Sequence, residues 1–192
     1  MSKKIYWIPV VLLVASLFTA CKESEEPGRY DNWKEPNELY MDSLEYVYKT
    51  QAAGLAEKDS LYRFEDPFAQ QAYVYYKKLN PEEKEDFGMR PLYTDTVSVY
   101  YQRSIIDGVR ISGNFTDDKP SEFDAPLTVV VRNGEFGSGV IWALQYMYVG
   151  ERWRLYIPWA SVQNSSSTDL ASLPAYSNLI FDLVLDEITN RE

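Results

Sequence analysis

The 192-residue chain contains no histidine and only one cysteine, Cys21. The absence of histidine excludes a Ser-His-Asp triad, a histidine-ligated zinc site and a histidine general base. A single cysteine cannot form a disulfide within the chain or a redox-active pair of thiols. Aromatic residues are plentiful instead, with 16 tyrosines and 5 tryptophans, and they supply ample material for an apolar core.

Basic residues are also few. The chain has 19 lysines and arginines against 29 aspartates and glutamates, which gives a net charge of −10. Removal of residues 1–20 would delete Lys3 and Lys4 and no acid, so the charge would become −10 − 2 = −12. Because such an acidic surface repels phosphate backbones, we expect no nucleic-acid partner.

The first 20 residues have the layout of a secretory signal: a basic start, an apolar run and then small residues. The segment from Leu17 to Cys21 resembles the bacterial lipobox, which implies that Cys21 is diacylated with fatty acids such as palmitate. We therefore interpret 1–20 as a lipoprotein signal peptide and expect a protein anchored by lipid to the bacterial outer membrane. The alternative is an ordinary cleaved signal followed by an incidental cysteine.

Residues 21–34 are predicted to be an acidic tether. The run from Lys22 to Gly28 is polar, acidic and interrupted by Pro27, so it should remain solvated. It resembles the surface-export signal of Bacteroidetes lipoproteins, which favours display on the cell surface. The alternative is a simple spacer.

Residues 35–90 are predicted to form a helical N-terminal region. Pro36 suits a first helical turn, the apolar residues that follow recur at helical spacing, and Gly54 is a plausible end. Asp66-Pro67 predicts the start of a second helix, and Pro81 that of a short third one that ends near Phe87. The second helix would have an apolar face made of Phe68, Ala72, Tyr75, Tyr76 and Leu79.

The remaining residues, 91–192, change to a strand pattern. Segments rich in Val, Tyr and Ile predict strands over 94–106, 127–131, 153–157 and 179–188, and Asp107-Gly108 predicts a tight turn. One short apolar segment, 139–147, is predicted to be helical. A single helix among antiparallel strands predicts an α+β domain in which the sheet curls over the helix.

Two strings in this region resemble the FKBP-type peptidyl-prolyl cis-trans isomerases. They run from Met147 to Pro158 (MYVGERWRLYIP) and from Pro174 to Asp182 (PAYSNLIFD), and the resemblance covers about 92–190. It implies an FKBP-like fold, a pocket for proline-containing peptides or exported proteins, and no cofactor or metal. The helical N-terminal region resembles that of Bacteroidetes FKBP-like lipoproteins.

The family's pocket residues are only partly retained. The resemblance places Tyr101 at the first pocket tyrosine, Phe181 at the aromatic residue of the last strand, and Leu173 at the apolar residue before the proline. At other pocket positions the sequence departs from the family: Ile111-Ser112 replaces Phe-Asp, Phe136-Gly137 replaces Val-Ile, Val140 replaces the tryptophan of the pocket floor, Gln163 replaces a tyrosine, Asp117 replaces the arginine and Ser121 replaces a phenylalanine. Tyr101 and Phe181 could equally be ordinary core aromatics.

Isomerisation of an X–Pro bond needs no proton donor or metal, because it requires only that the conjugated amide be twisted in a pocket that excludes water. The departures favour a peptide-binding or structural module with weak or absent isomerase activity. An active isomerase that assists the folding of exported proteins is the alternative. A third possibility is a component of a larger surface assembly, docked through the N-terminal helices.

Overall fold

The computed structural model describes residues 28–69, 72–163, 165, 170 and 172–191. The predicted signal peptide and Cys21 lie outside these residues. Residues 28–31 contain a turn in which the Asp31 carboxylate accepts a hydrogen bond of 2.7 Å from the Gly28 N–H, and residues 32–192 form a compact unit of their own. Among the described residues, no helix is both long enough and apolar enough to cross a membrane.

In the described part of the chain, this unit contains two α-helices and seven strands. In chain order they are α1 (Lys34–Thr50), β1 (Tyr62–Glu65), β2 (Tyr73–Lys78), β3 (Thr96–Ile105), β4 (Arg110–Gly113), β5 (Leu127–Val130), α2 (Ser138–Tyr146), β6 (Arg152–Ile157) and β7 (Leu179–Asn190). Short 3₁₀ helices cover Pro81–Asp86, Val131–Asn133 and Trp159–Ser161.

The seven strands form one antiparallel sheet. Six of them follow the order β1-β2-β6-β7-β3-β4, and the seventh, β5, pairs with β3. The first half of β3 also pairs with β5, and its second half pairs with β4, so this long strand organises one end of the sheet. Along β3, and along β7 up to Leu185, alternate side chains point to the same face, because strand geometry repeats every two residues. All of them are buried except Tyr101, which is partly buried. The curled sheet and the two helices confirm the predicted α+β, FKBP-like fold.

Helix α2 packs on one face of the sheet and supplies much of the core. Its residues Val140, Ala143 and Leu144 are buried together with Leu155 and Leu183 of the sheet. The approach is close: a Cβ added at Gly139 would lie 2.9 Å from the Ile157 side chain. A larger residue at this position would therefore push the helix away from the sheet.

Helix α1 lies against the opposite face. The Tyr40 ring centroid is 6.2 Å from that of Tyr156 on β6, and Tyr48 makes an edge contact with Tyr75 on β2. Buried Asn37 fixes the start of the helix, since its Oδ1 accepts a hydrogen bond from the Asn178 N–H (2.8 Å). The predicted first helix is thus confirmed, and it begins two residues before Pro36.

The predicted helix after Asp66-Pro67 is wrong, and so is the expectation that 35–90 is a helical region throughout. Residues 73–78 form β2, which pairs with β6, and 62–65 form β1 at the edge of the sheet. In β2, Tyr75 faces α1, whereas Val74 and Tyr76 face the core side. The aromatic residues matched a helical period by coincidence, and cross-strand pairing with β6 determined the structure instead.

Candidate peptide-binding site

Three aromatic rings named by the sequence resemblance meet at one place. Tyr101 on β3 and Phe181 on β7 both point to the α2 face of the sheet, and their ring centroids are 6.3 Å apart. Phe136, from the segment between β5 and α2, lies 4.8 Å from Tyr101 and 5.7 Å from Phe181, in an edge contact with the latter. Phe136 is only 5% exposed and Phe181 is fully buried, so the rings pack mainly against each other.

The backbone N–H next to Phe136, that of Gly137, already has a hydrogen-bond partner within the protein. The Gly137 N–H donates a hydrogen bond of 2.9 Å to the Gly134 carbonyl. Gly137 has a φ of 90°, and a Cβ at this position would lie 2.5 Å from the Ser161 carbonyl oxygen. Glycine is required here by both conformation and space, and it leaves no side chain to form a pocket wall.

Val140 replaces the tryptophan of the family's pocket floor without leaving a large void. It is 1% exposed on α2. A cavity of about 10 Å³ lies beside it, bounded by Phe136 and residues of β5. This volume is close to that of a single water, so the smaller side chain is accommodated by packing and not by an open pocket.

The other three predicted pocket residues do not join the ring contact. Ile111 and Leu173 are partly buried and pack against the main core. Gln163 is exposed, and its side-chain amide donates a long hydrogen bond (3.4 Å) to the Ala160 carbonyl. These positions therefore contribute to packing or to the surface, and the ring cluster consists of Tyr101, Phe136 and Phe181.

One residue of this site, Arg103, was not predicted from the sequence. It lies two residues after Tyr101 on β3 and therefore faces the same side. Its side chain is 1% exposed, and its guanidinium carbon lies 6.0 Å from the centre of the Phe136 ring, within cation–π distance. A charged residue at an inward-facing strand position is the signal that could have revealed it. Arg103 and the two aromatic neighbours hold Phe136 in place.

The chain was compared with known proteins. Residues 88–186 match the family described as FKBP-type peptidyl-prolyl cis-trans isomerase. The FKBP-type 22 kDa peptidyl-prolyl cis-trans isomerase of Escherichia coli is 35% identical over 101 residues, which are 53% of this chain and 45% of that protein. The chain thus spans less than half the length of this curated relative.

Two solved structures share the fold. A peptidyl-prolyl cis-trans isomerase from Pseudomonas syringae pv. tomato has a TM-score of 0.54 at 19% identity, with 86% of this chain and 99% of that chain covered. FkpA from Escherichia coli has a TM-score of 0.51 at 17% identity, with 98% and 73% covered. Since the family match covers about half of the residues and these structures share the architecture, the chain belongs to the FKBP-type peptidyl-prolyl cis-trans isomerase family.

Proposed function

We propose that this protein is an envelope lipoprotein, held to the outer membrane through Cys21 and displayed at the cell surface. Its FKBP-like domain binds peptide or protein segments, with weak or absent prolyl isomerase activity. One observation carries the low activity: the Phe136 ring packs against both Tyr101 and Phe181 and so covers the two retained aromatic residues. Proline-containing segments of exported proteins are the ligands that the family membership favours.

Two physical reasons support low isomerase activity: a proline ring has no room to enter, and the nearby Gly137 N–H is not free to bind a substrate carbonyl. Catalysis of X–Pro rotation requires that the proline ring enter a dry apolar pocket, where the twisted amide is favoured over the planar one. With centroid distances of 4.8 and 5.7 Å, no ring fits between Phe136 and its two neighbours. The Gly137 N–H is already bonded to Gly134 and is not available to a substrate carbonyl.

An active isomerase is the second candidate, and the retained Tyr101 and Phe181 favour it. Displacement of the Phe136 ring would uncover the side of Tyr101 and Phe181 that it now packs against. The test is the cis-to-trans relaxation of a Phe-Pro tetrapeptide with the full chain in neutral detergent. We expect a rate within about twofold of the uncatalysed one. A clear acceleration that disappears in a Tyr101→Ala and Phe181→Ala double variant would establish a true enzyme instead.

The lipid anchor is tested separately. Cells that express the wild-type chain or Cys21→Ser are labelled with a fatty acid, and the purified protein is examined for label. We expect label on the wild type alone, and release of the variant from membranes, because stable anchoring requires more than one acyl chain. Label that is retained in Cys21→Ser, or absent from the wild type, would refute the lipoprotein assignment.

A further inference from the structure

A second concave region lies on the sheet face opposite α2, between α1 and the β3–β4 hairpin. Its volume is about 360 Å³, enough for a small organic molecule. Strand pairing places two rows of side chains across its floor. The first row is Arg110, Ser104, Ile180 and Tyr156, and the second is Gln102, Asp182 and Arg154.

The charge of this cavity is opposite to that of the whole protein. Of the described residues that line it, Asp182 is the one acid. Both carboxylate oxygens of Asp182 are engaged: Arg152 donates to each at 2.7 Å, and Arg154 donates to one at 3.1 Å. Arg110 and Arg154 against Asp182 leave a local excess of one positive charge in a chain of net charge −10. Arg103 also borders the cavity, but its guanidinium lies near Phe136 on the other face of the sheet.

The two guanidinium groups at the cavity, those of Arg110 and Arg154, can still donate hydrogen bonds to a ligand. A guanidinium carries five N–H donors and no acceptor, and within the described part of the chain Arg154 uses one of them, for Asp182. Arg110 is exposed at the rim and donates to the Phe115 carbonyl. Because both guanidinium groups border the same cavity, an oxyanion there can accept charge-assisted hydrogen bonds from either side.

Two tyrosines complete the wall. The rings of Tyr40 and Tyr156 lie with centroids 6.2 Å apart, and both are half-buried. Burial, reinforced by Tyr156, raises the pKa of Tyr40 to about 12, so its hydroxyl is protonated at neutral pH. The same burial raises the pKa of Tyr156. Together with Ile180, these rings offer an apolar surface beside the guanidinium groups.

We propose that this cavity binds a small organic anion whose carboxylate or phosphate group is held by Arg110 and Arg154. Tyr40, Tyr156 and Ile180 cover the apolar body of the ligand. Tyr40 belongs to α1, which lies outside the part of the chain that matches the family. The site thus depends on the N-terminal helix and is separate from the ring cluster around Phe136.

The test uses phenyl phosphate as the probe, with the full chain in neutral detergent and isothermal titration calorimetry at constant ionic strength. We expect a dissociation constant below about 1 mM. In Arg110→Gln the affinity should fall about tenfold, as expected for the loss of a charge-assisted hydrogen bond. The control Arg132→Gln makes the same charge change at an exposed position that does not line the cavity, and it should bind like the wild type.

Further probes separate the parts of the site. Phenol should bind far more weakly than phenyl phosphate, and inorganic phosphate should bind more weakly because it lacks the apolar body. Amide NMR shifts on addition of phenyl phosphate should map to Ser104, Tyr156 and Ile180. The proposal is overturned by absence of binding, by equal affinity for phenol, by equal weakening in the two arginine variants, or by shifts confined to the Phe136 region.

Discussion

Replacement of Phe136 by alanine should both destabilise the protein and open its site. The ring is 5% exposed and contacts Tyr101, Phe181 and the Arg103 guanidinium. Removal of a buried phenylalanine lowers the free energy of unfolding by about 3–5 kcal/mol. The two aromatic contacts account for roughly 0.5–1.5 kcal/mol each beyond the buried area, so we expect a value in the upper part of that range.

Urea unfolding, followed by tryptophan fluorescence, measures this change. The matched control is Phe123→Ala, which removes the same atoms from a side chain that is 89% exposed. Its effect should stay within about 0.5 kcal/mol. A Phe136→Ala variant as stable as Phe123→Ala would refute the claim that the ring is a packed core element.

The same variant tests what the ring does. If Phe136 covers the pocket, its removal leaves a space beside Tyr101 and Phe181 that a proline ring can enter. Isomerase activity on a Phe-Pro tetrapeptide should then rise above that of the wild type in the fraction that remains folded. If the wild type is instead active and Phe136→Ala abolishes the activity, the ring forms the floor of a working pocket and our interpretation is wrong.

Two other variants and one pH dependence follow from the structure. Gly137→Ala should lower the free energy of unfolding by at least about 1–3 kcal/mol in urea titrations, because a φ of 90° is strained for alanine and its Cβ would meet the Ser161 carbonyl oxygen. Arg152→Gln should lower it by about 3–5 kcal/mol, since it leaves a buried carboxylate with weaker pairing. Stability should fall from pH 10 to about 12, because burial raises the pKa of Tyr40 and Tyr76 to about 12 and the unfolded chain ionises first.

Each of these has a matched control. Gly108→Ala imposes a similar backbone strain at φ 82° with no atom within 4 Å, so it should be the milder glycine variant. Lys49→Gln breaks an exposed ion pair and should change stability by less than about 0.5 kcal/mol. Replacement of Tyr40 and Tyr76 by phenylalanine should reduce the alkaline loss of stability. Equal effects in a variant and its control would contradict the corresponding explanation.

The strands of the family region were predictable because each has a clear pattern. Segment 153–157 alternates large apolar and polar residues, and the structure places Trp153, Leu155 and Ile157 on the buried face. Helix α2 was also predicted, because its short apolar segment is bounded by glycines and turn residues. Strand β2 was not, since YVYYKK satisfies a helical period as well as an alternating one, and only its pairing with β6 decides between them.

The sequence predicts which residues form the ring cluster, but not how their rings are oriented. Phe181 lies in the second matching string and Tyr101 lies in the strand before the Asp107-Gly108 turn, and strand alternation puts both on the core side. Nothing in the sequence shows where the Phe136 ring turns, because the residue lies in an irregular segment whose direction is set by Gly134 and Gly137. The cavity on the α1 face could not be predicted either, since its arginines come from β4 and β6 and its two tyrosines from α1 and β6.

The two faces of the sheet differ in what their side chains do: the α2 face packs the core, and the α1 face carries the proposed anion site. On the α2 face, the Phe136 ring is buried against Tyr101 and Phe181, which stabilises the fold. The same contact takes up space that a ligand would need, so a gain in folding stability there opposes binding of a substrate. On the α1 face, Arg110 and Arg154 remain partly exposed, and a bound anion would add contacts without displacing a core residue. Under these two proposals, the chain would bind a ligand on the α1 face while the ring cluster stays closed, provided that α1 stays in place to complete the second site.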